Sequence, residues 1–201
     1  LTRCFDSEKI QNVNKNVDPI RDLEIIETEI LLSDLESLQK RLEKNNKKKL
    51  EKDELDFLEE CHKLISDGKK PVELKKKYSK NLINKSALLS LKPRIIVCNV
   101  DEKSLPDGNK YSNVCKKKFS DENIIIVCAD IEDQIMSLQV KYRKDFMFES
   151  GIKSTGLDNL IKTGYRTLGL STFFTSGPEE SRAWTVEKNS KAADAAGVIH
   201  T

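Results

Sequence analysis

Apolar residues recur at intervals of three and four through the first third of the chain. Asp18 is a good N-cap and Pro19 suits the first turn of a helix. The apolar positions that follow predict one long amphipathic helix to about Lys44, and they are Ile20, Leu23, Ile26, Ile30, Leu31, Leu35, Leu38 and Leu42. A second amphipathic segment follows the polar break at residues 45–47 and ends at Gly68. Two such stripes joined by a short polar connection predict an antiparallel helical hairpin.

The middle of the chain changes to unbroken apolar runs. Residues 94–98 (RIIVC) and 124–129 (IIIVCA) lack the alternation of a half-exposed strand, and the polar stretch between them, 109–119, is predicted to be a helix. Strand, helix and strand with continuous apolar strands predict a parallel sheet covered on both faces. In such a sheet the tips of the two strands, at Asn99 and at Ala129, are expected side by side on one edge.

The remaining segments predict shorter elements. Residues 1–5 would suit the end of a strand in the same sheet. Further helices are predicted over residues 81–90, 131–142 and 157–168. From Gly169, short strands and a small-residue stretch predict the start of a second, small α+β domain, with strands at 171–175 and 182–187 and the small residues at 191–197.

The composition excludes few classes of protein. Of 201 residues, 35 are basic and 33 acidic, so the net charge of +2 does not by itself indicate a nucleic-acid or membrane partner. No apolar run approaches the roughly 18 to 20 residues that span a bilayer, and no signal peptide is visible. We therefore expect a cytoplasmic protein without membrane contact. Because the chain starts with Leu1, we also expect it to be a segment of something longer.

The cysteines and histidines carry no metal-site spacing. The five cysteines are odd in number, scattered and free of any Cys-x-x-Cys pair, which predicts reduced thiols and neither disulfides nor a zinc site. They are Cys4, Cys61, Cys98, Cys115 and Cys128. His62 and His200 stand far apart in the sequence, so a His-centred metal site or a Ser-His-Asp arrangement has little support. No metal ligand is predicted in this segment.

The apolar run at 94–98 continues into Asn99-Val100-Asp101-Glu102. In open α/β sheets ligands bind outside the carboxyl ends of the strands, so polar side chains there are candidates to read a ligand. Asn-x-x-Asp after a buried strand is the base-reading element of P-loop GTPases, where the carboxylate accepts two hydrogen bonds from guanine. Here glutamate stands in the fourth position.

Glu102 carries one methylene more than aspartate, so its carboxylate cannot occupy the same position unless the loop moves. Guanine selectivity is therefore expected to weaken, whereas the amide of Asn99 can match the donor and acceptor edge of adenine. An isolated Asn-x-x-Glu is common by chance, and a turn with a solvated Asp101 and Glu102 is the simpler interpretation of these four residues alone.

Several longer segments together resemble one family, the Obg-like ATPases, also called YchF, within the P-loop GTPases related to translation factors. Residues 17–44 are similar to the first coiled-coil helix of that family, and residues 88–102 to the start and end of its Asn-x-x-Glu strand. Residues 128–132 (CADIE) stand where the next strand ends, and residues 163–201 resemble the first part of its C-terminal TGS domain. The resemblance covers essentially all 201 residues.

This resemblance implies an α/β fold: part of a P-loop NTPase parallel sheet with an inserted antiparallel helical hairpin (coiled coil), followed by a partial β-grasp (TGS) domain. The implied domains are a G-domain strand and connection at 1–17, the coiled-coil insertion at 18–90, the C-terminal part of the G domain with its base-recognition loops at 91–168, and the start of the TGS domain at 169–201.

The same resemblance implies a nucleotide-binding hydrolase that uses Mg²⁺ and splits ATP, with GTP as the alternative. It also implies association with ribosomes or RNA through the TGS domain, and a protein partner for the coiled coil. By position, the base contacts fall on Asn99, Val100, Glu102, Cys128 and Ala129. Asp130 replaces a residue that is often Lys in related loops, and its effect on the nucleotide stays open. None of these residues performs hydrolysis.

The catalytic half of that family's site is not in this sequence. There is no G-x-x-x-x-G-K-[ST], and no Asp-x-x-Gly precedes Asn99. The family places both on the N-terminal side of Leu1, so we expect these 201 residues alone neither to bind nucleotide appreciably nor to hydrolyse it. The alternative is a non-enzymatic module whose helical hairpin and β-rich end bind a protein or RNA.

Overall fold

The computed structural model describes residues 1–8, 10, 14, 16–45 and 50–199, so part of the predicted polar break at 45–47 lies outside the described residues. The chain forms two compact units, which are treated separately. Unit 1 comprises Leu1–Pro19 and Pro93–Thr201, and unit 2 comprises Ile20–Lys92. Within the described ranges, no helix is both long and apolar enough to cross a bilayer.

Unit 2 is helical. Its helices are α1 (Pro19–Asn45, which begins one residue before the unit), α2 (Lys52–Ser66) and α3 (Lys80–Ser86). A 3-10 helix covers Pro71–Lys76, and a second 3-10 segment, a single turn, covers Leu89–Leu91. The two long helices agree with the predicted ones. The third is shorter than the predicted 81–90, because Ala87 takes a left-handed conformation with φ of 57° that ends the helix.

One apolar cluster fills unit 2. Leu38 of α1 and Phe57 and Cys61 of α2 are completely buried in it. Asp34, on α1, is also buried, and its two carboxylate oxygens accept hydrogen bonds of 2.8 Å from the backbone amides of Leu89 and Ser90. The carboxylate therefore caps the second 3-10 turn.

Unit 1 contains a parallel sheet of three strands: β1 (Thr2–Arg3), β2 (Ile95–Asn99) and β3 (Asn123–Val127), in the order β1-β2-β3. The predicted parallel sheet is thus confirmed, with β2 as its middle strand. β3 ends two residues before the predicted end at Ala129, because Ala129 already begins a helix.

Four helices accompany the sheet in unit 1: α4 (Lys110–Lys118), α5 (Ala129–Ser137), α6 (Val140–Glu149) and α7 (Gly156–Leu168). The single helix predicted for 131–142 is wrong, because the backbone is extended at Leu138 and Gln139 and separates α5 from α6. The guanidinium of Arg143 donates hydrogen bonds to the carbonyl oxygens of Met136 (2.9 Å) and Leu138 (3.0 Å). These bonds satisfy carbonyls that the end of α5 leaves without helical partners.

The last part of unit 1 is an antiparallel hairpin, β4 (Leu170–Ser176) and β5 (Ser181–Glu187), followed by helix α8 (Ala192–Ile199). The two predicted strands are confirmed, and the predicted small-residue stretch folds as α8. Phe173 lies opposite Trp184, whose indole N–H donates a hydrogen bond of 2.9 Å to Thr175 Oγ1.

Candidate functional site

A single side chain joins the carboxyl ends of β2 and β3. Asn99 is the last residue of β2, and its Oδ1 accepts a hydrogen bond of 3.0 Å from the backbone amide of Ala129 at the start of α5. Its backbone carbonyl accepts a 2.7 Å bond from the amide of Cys4, beside β1. The two strand tips therefore lie side by side, as predicted.

The bonding of Asn99 also decides what it can offer a ligand. Its Oδ1 is occupied by Ala129, whereas its Nδ2 has no hydrogen-bond partner in the part of the chain that the structure describes. A side-chain amide nitrogen carries two N–H donors and no acceptor. Asn99 can thus hold the two loops together and still donate to an acceptor atom at this edge.

Val100 is placed differently from its neighbours. Its side chain is only 2% exposed, and its backbone amide donates a 2.8 Å hydrogen bond to the carbonyl of Val127. The side chain therefore packs inside unit 1 and extends the pairing of β2 with β3 by one residue. Its predicted packing against a base stays a prediction.

The two carboxylates of the loop have different surroundings. The Asp101 carboxylate accepts a hydrogen bond from the hydroxyl of Ser104, and the amide of Ser104 donates to the Asp101 carbonyl at 3.0 Å. Glu102 begins the 3-10 turn Glu102–Ser104, is exposed, and has a carboxylate without a hydrogen-bond partner among the described residues. Asp101 closes the turn, and Glu102 is left available to a ligand.

On the facing loop, Cys128 and Ala129 also differ. Cys128 is buried with Ile131 and Ile135 in an apolar cluster, and this burial raises the pKa of its thiol. Ala129 is exposed, with its amide bonded to Asn99. Of the two residues, Ala129 is therefore the one with an accessible surface.

A cavity of about 210 Å³ lies against β3 and shares Cys128 with the predicted base-reading residues. Glu132, on α5, also lines it, and its carboxylate accepts hydrogen bonds from the amides of Gly156 (2.5 Å) and Leu157 (3.5 Å). A carboxylate is favourable at the positive N-terminal end of a helix such as α7. Glu132 is the last residue of the CADIE segment, but the sequence predicted no role for its side chain.

Three cysteines that are far apart in the sequence come together in unit 1. The sulfur atoms of Cys4, Cys98 and Cys115 all lie within 4.8 Å of one another, and the three side chains are completely buried. Hydrogen bonding from Cys4, and also from Cys115, lowers the pKa of Cys98 to about 7, whereas burial raises the pKa of Cys115 to about 12. All five cysteines are free thiols, as predicted, but the spacing gave no sign of this cluster.

The whole chain aligns with proteins of one kind. It is 37% identical over 212 residues to "Ribosome-binding ATPase YchF" of Bacillus subtilis (strain 168), and the alignment covers 100% of this chain and 58% of that protein. The chain is therefore similar over its whole length to proteins of the YchF family. "Obg-like ATPase 1" of Rattus norvegicus is 34% identical to this chain, which spans 54% of its length.

A solved structure and a family profile show the same similarity. The Schizosaccharomyces pombe YchF GTPase superposes with a TM-score of 0.81 and 32% identity, over 99% of this chain and 57% of that one. Residues 170–201 match the profile of YchF-GTPase_C, which is described as a protein of unknown function (DUF933). The chain therefore shares an α/β fold with a parallel sheet with that protein, and it spans a little over half the length of the relatives it matches.

Proposed function

We propose that this chain supplies the base-recognition part of a nucleotide-hydrolysing protein that works with ribosomes, with ATP as the preferred nucleotide and GTP as the alternative. The observation that carries the proposal is the hydrogen bond from Ala129 to Asn99, which fixes both candidate loops at one edge of the sheet. Relatives named as a ribosome-binding ATPase and as a GTPase support the two parts of the proposal.

In the proposed base site, both loops contact the base. Asn99 donates from Nδ2 to an acceptor on the purine edge, and Glu102 stands where an aspartate would select guanine. A carboxylate that accepts two hydrogen bonds from guanine must be held in one place, and glutamate has one more rotatable bond than aspartate. Backbone atoms of Val100, Cys128 and Ala129 complete the proposed contacts with the base.

No hydrolytic step is assigned to these 201 residues. Mg²⁺, which the family implies, is a hard cation that takes oxygen ligands. Within the described ranges, the residues grouped closely enough to hold a metal are three cysteines, whose sulfur donors do not fit Mg²⁺. We therefore place Mg²⁺ and the phosphates on the rest of the intact protein, and we expect the isolated chain to be inactive.

The proposal extends to the other domains. The helices of unit 2 share one apolar cluster, which supports a coiled-coil hairpin as the insertion. The chain divides into its two units at residues 20 and 92, close to the proposed boundaries at 18 and 90. Strands β4 and β5 with α8 form the proposed start of the TGS domain, at 169–201, through which the protein contacts the ribosome or RNA. The hairpin is the proposed surface for a protein partner, and a cytoplasmic location follows from work with ribosomes.

The base-reading role of Glu102 is tested in the intact protein by titrating ATP and GTP side by side. Glu102→Asp restores the shorter side chain, so we expect the affinity for GTP to rise relative to ATP by about tenfold, in the range for one well-placed polar contact. Glu149→Asp makes the same chemical change at an exposed position on α6 and should leave the ratio unchanged. An unchanged ratio in Glu102→Asp rejects the role, and an intact protein that binds neither nucleotide favours the interaction module.

A further inference from the structure

We propose that Cys4, Cys98 and Cys115 form a three-sulfur binding site for a soft, thiophilic metal ion, and that its cation is Cu(I). The site lies in unit 1 and is separate from the residues proposed to contact the base. It rests on the mutual approach of the three sulfur atoms, which all lie within 4.8 Å of one another.

The backbone holds the three cysteines in place independently of any metal. Thr2 pairs with Cys98, so Cys4, two residues after Thr2, lies on the same face of the sheet as Cys98. Cys115 comes from α4, and the N-cap of that helix, Asn109, donates a 2.6 Å hydrogen bond from Nδ2 to the carbonyl of Cys4. The cluster is therefore assembled from the residue after β1, from β2 and from α4, by main-chain pairing and a helix cap.

The sulfur spacing suits one bound ion. Metal–thiolate bonds of about 2.3 Å place the three sulfurs of a trigonal centre roughly 4 Å apart, which is inside the 4.8 Å limit within which these atoms lie. Small rotations of the side chains are then sufficient to close the site, and no movement of the strands is required.

The donor set selects the class of ion. Three sulfur donors suit soft cations and not Mg²⁺ or Ca²⁺, which take oxygen. Structural zinc sites almost always have four protein ligands, and no fourth His, Cys, Asp or Glu joins this group in the part of the chain that the structure describes. Cu(I) is a soft ion that accepts three sulfurs without a fourth ligand, so complete burial of the cluster is no obstacle.

Binding is a ligand exchange without oxidation or reduction. Each cysteine that binds as a thiolate loses its S–H bond and gives the proton to the solvent, while a Cu–S bond forms and copper remains Cu(I). The positive charge of Lys116 acts on Cys98 and offsets part of the negative charge that the thiolates bring. β1 has only two paired residues, so local opening at this strand gives the ion a path into the cluster.

The test uses the reduced 201-residue chain under anaerobic conditions, with Cu(I) supplied from a chromogenic chelator that competes for it. We expect one Cu(I) per chain, and X-ray absorption at the copper edge should count three sulfur ligands. Cys4→Ser, Cys98→Ser and Cys115→Ser should each weaken binding by at least about 100-fold, since each removes a direct ligand. Absorption on the unmodified chain keeps the test valid if a variant does not fold.

Cys61→Ser is the matched control, because Cys61 is equally buried but lies in unit 2. It should leave the copper affinity unchanged. The proposal is overturned if the chelator keeps all the copper, if absorption finds fewer than three sulfurs, or if Cys61→Ser weakens binding as much as the cluster variants do. Tighter binding of Zn²⁺ than of Cu(I) would overturn it as well.

Discussion

Gly156, the first residue of α7, lies close against the sheet. A Cβ atom at this position would lie 2.5 Å from Val127 Cγ1 and 3.1 Å from the carboxylate of Glu132. The amide of Gly156 is also the donor of the 2.5 Å hydrogen bond to Glu132. The absence of a side chain therefore allows the start of α7 to reach both β3 and α5.

Gly156→Ala should lower the free energy of unfolding by about 1–3 kcal/mol, because a methyl group would be forced into an occupied space. Urea denaturation of the chain measures the change. Gly164→Ala is the matched control in the same helix, where nothing lies within 4 Å of the added Cβ. That substitution should be neutral or stabilise by about 0.5–1 kcal/mol, and equal losses in both variants would contradict the explanation.

Residues differ in how far the sequence reveals their roles. The approach of Asn99 to Ala129 could be predicted, because both follow apolar runs that end at one edge of a parallel sheet. The meeting of Cys4 with Cys115 could not, because it depends on how α4 lies over the strands, and three separate elements leave no spacing to recognise. The exposure of Glu102 beside an engaged Asp101 likewise depends on the turn geometry of the loop.

At the scale of elements, α1 and the 3-10 turn at Leu89–Leu91 are joined by one buried carboxylate. Asp34 accepts hydrogen bonds from two consecutive amides of that turn, at 2.8 Å each. The chain between them contains most of unit 2, so this contact joins the middle of α1 to the last 3-10 turn of the unit. An unpaired buried amide costs about 1–3 kcal/mol.

Asp34→Ala should therefore lower the free energy of unfolding by about 2–4 kcal/mol, since it leaves two amides without their acceptor. Thermal or urea unfolding followed by helical circular dichroism is the measurement. Glu43→Ala removes an exposed carboxylate from the same helix and should change stability by less than about 0.5 kcal/mol. Similar decreases in the free energy of unfolding in the two variants would show that the capping contact does not stabilise unit 2.

The break between α5 and α6 shows where element prediction stops. Helix ends are usually marked by Gly or Pro, but Leu138 and Gln139 carry neither mark, and the apolar positions on both sides have helical spacing. Arg143 accompanies the break and donates hydrogen bonds back to the carbonyls of Met136 and Leu138. A contact of that kind is set by the tertiary structure and leaves no local signal.

At the scale of the whole molecule, unit 2 has a core of its own. Every member of its apolar cluster lies between Leu31 and Leu91, within the limits of the unit. A segment that buries its apolar residues against one another does not need the rest of the chain for its hydrophobic stabilisation.

A peptide of residues 20–92 should thus fold alone, with helical circular dichroism and one cooperative unfolding transition in urea. Phe57→Ala should remove about 3–5 kcal/mol, because Phe57 is completely buried in the cluster. Val72→Ala, at a side chain that is 47% exposed, should keep the transition nearly unchanged. A peptide without a cooperative transition would show that unit 2 depends on its surroundings.

The insertion of unit 2 between β1 and β2 also orders events on a translating ribosome. β1 pairs with β2 and has no other strand neighbour in the described sheet, yet the whole of unit 2 must be synthesised before β2 appears. At about 5–20 residues per second, this interval is on the order of ten seconds. The nascent chain can complete its helical insertion in that time. Until β2 is synthesised, the backbone groups of β1 and of Cys4 remain exposed, because their pairing strand does not yet exist.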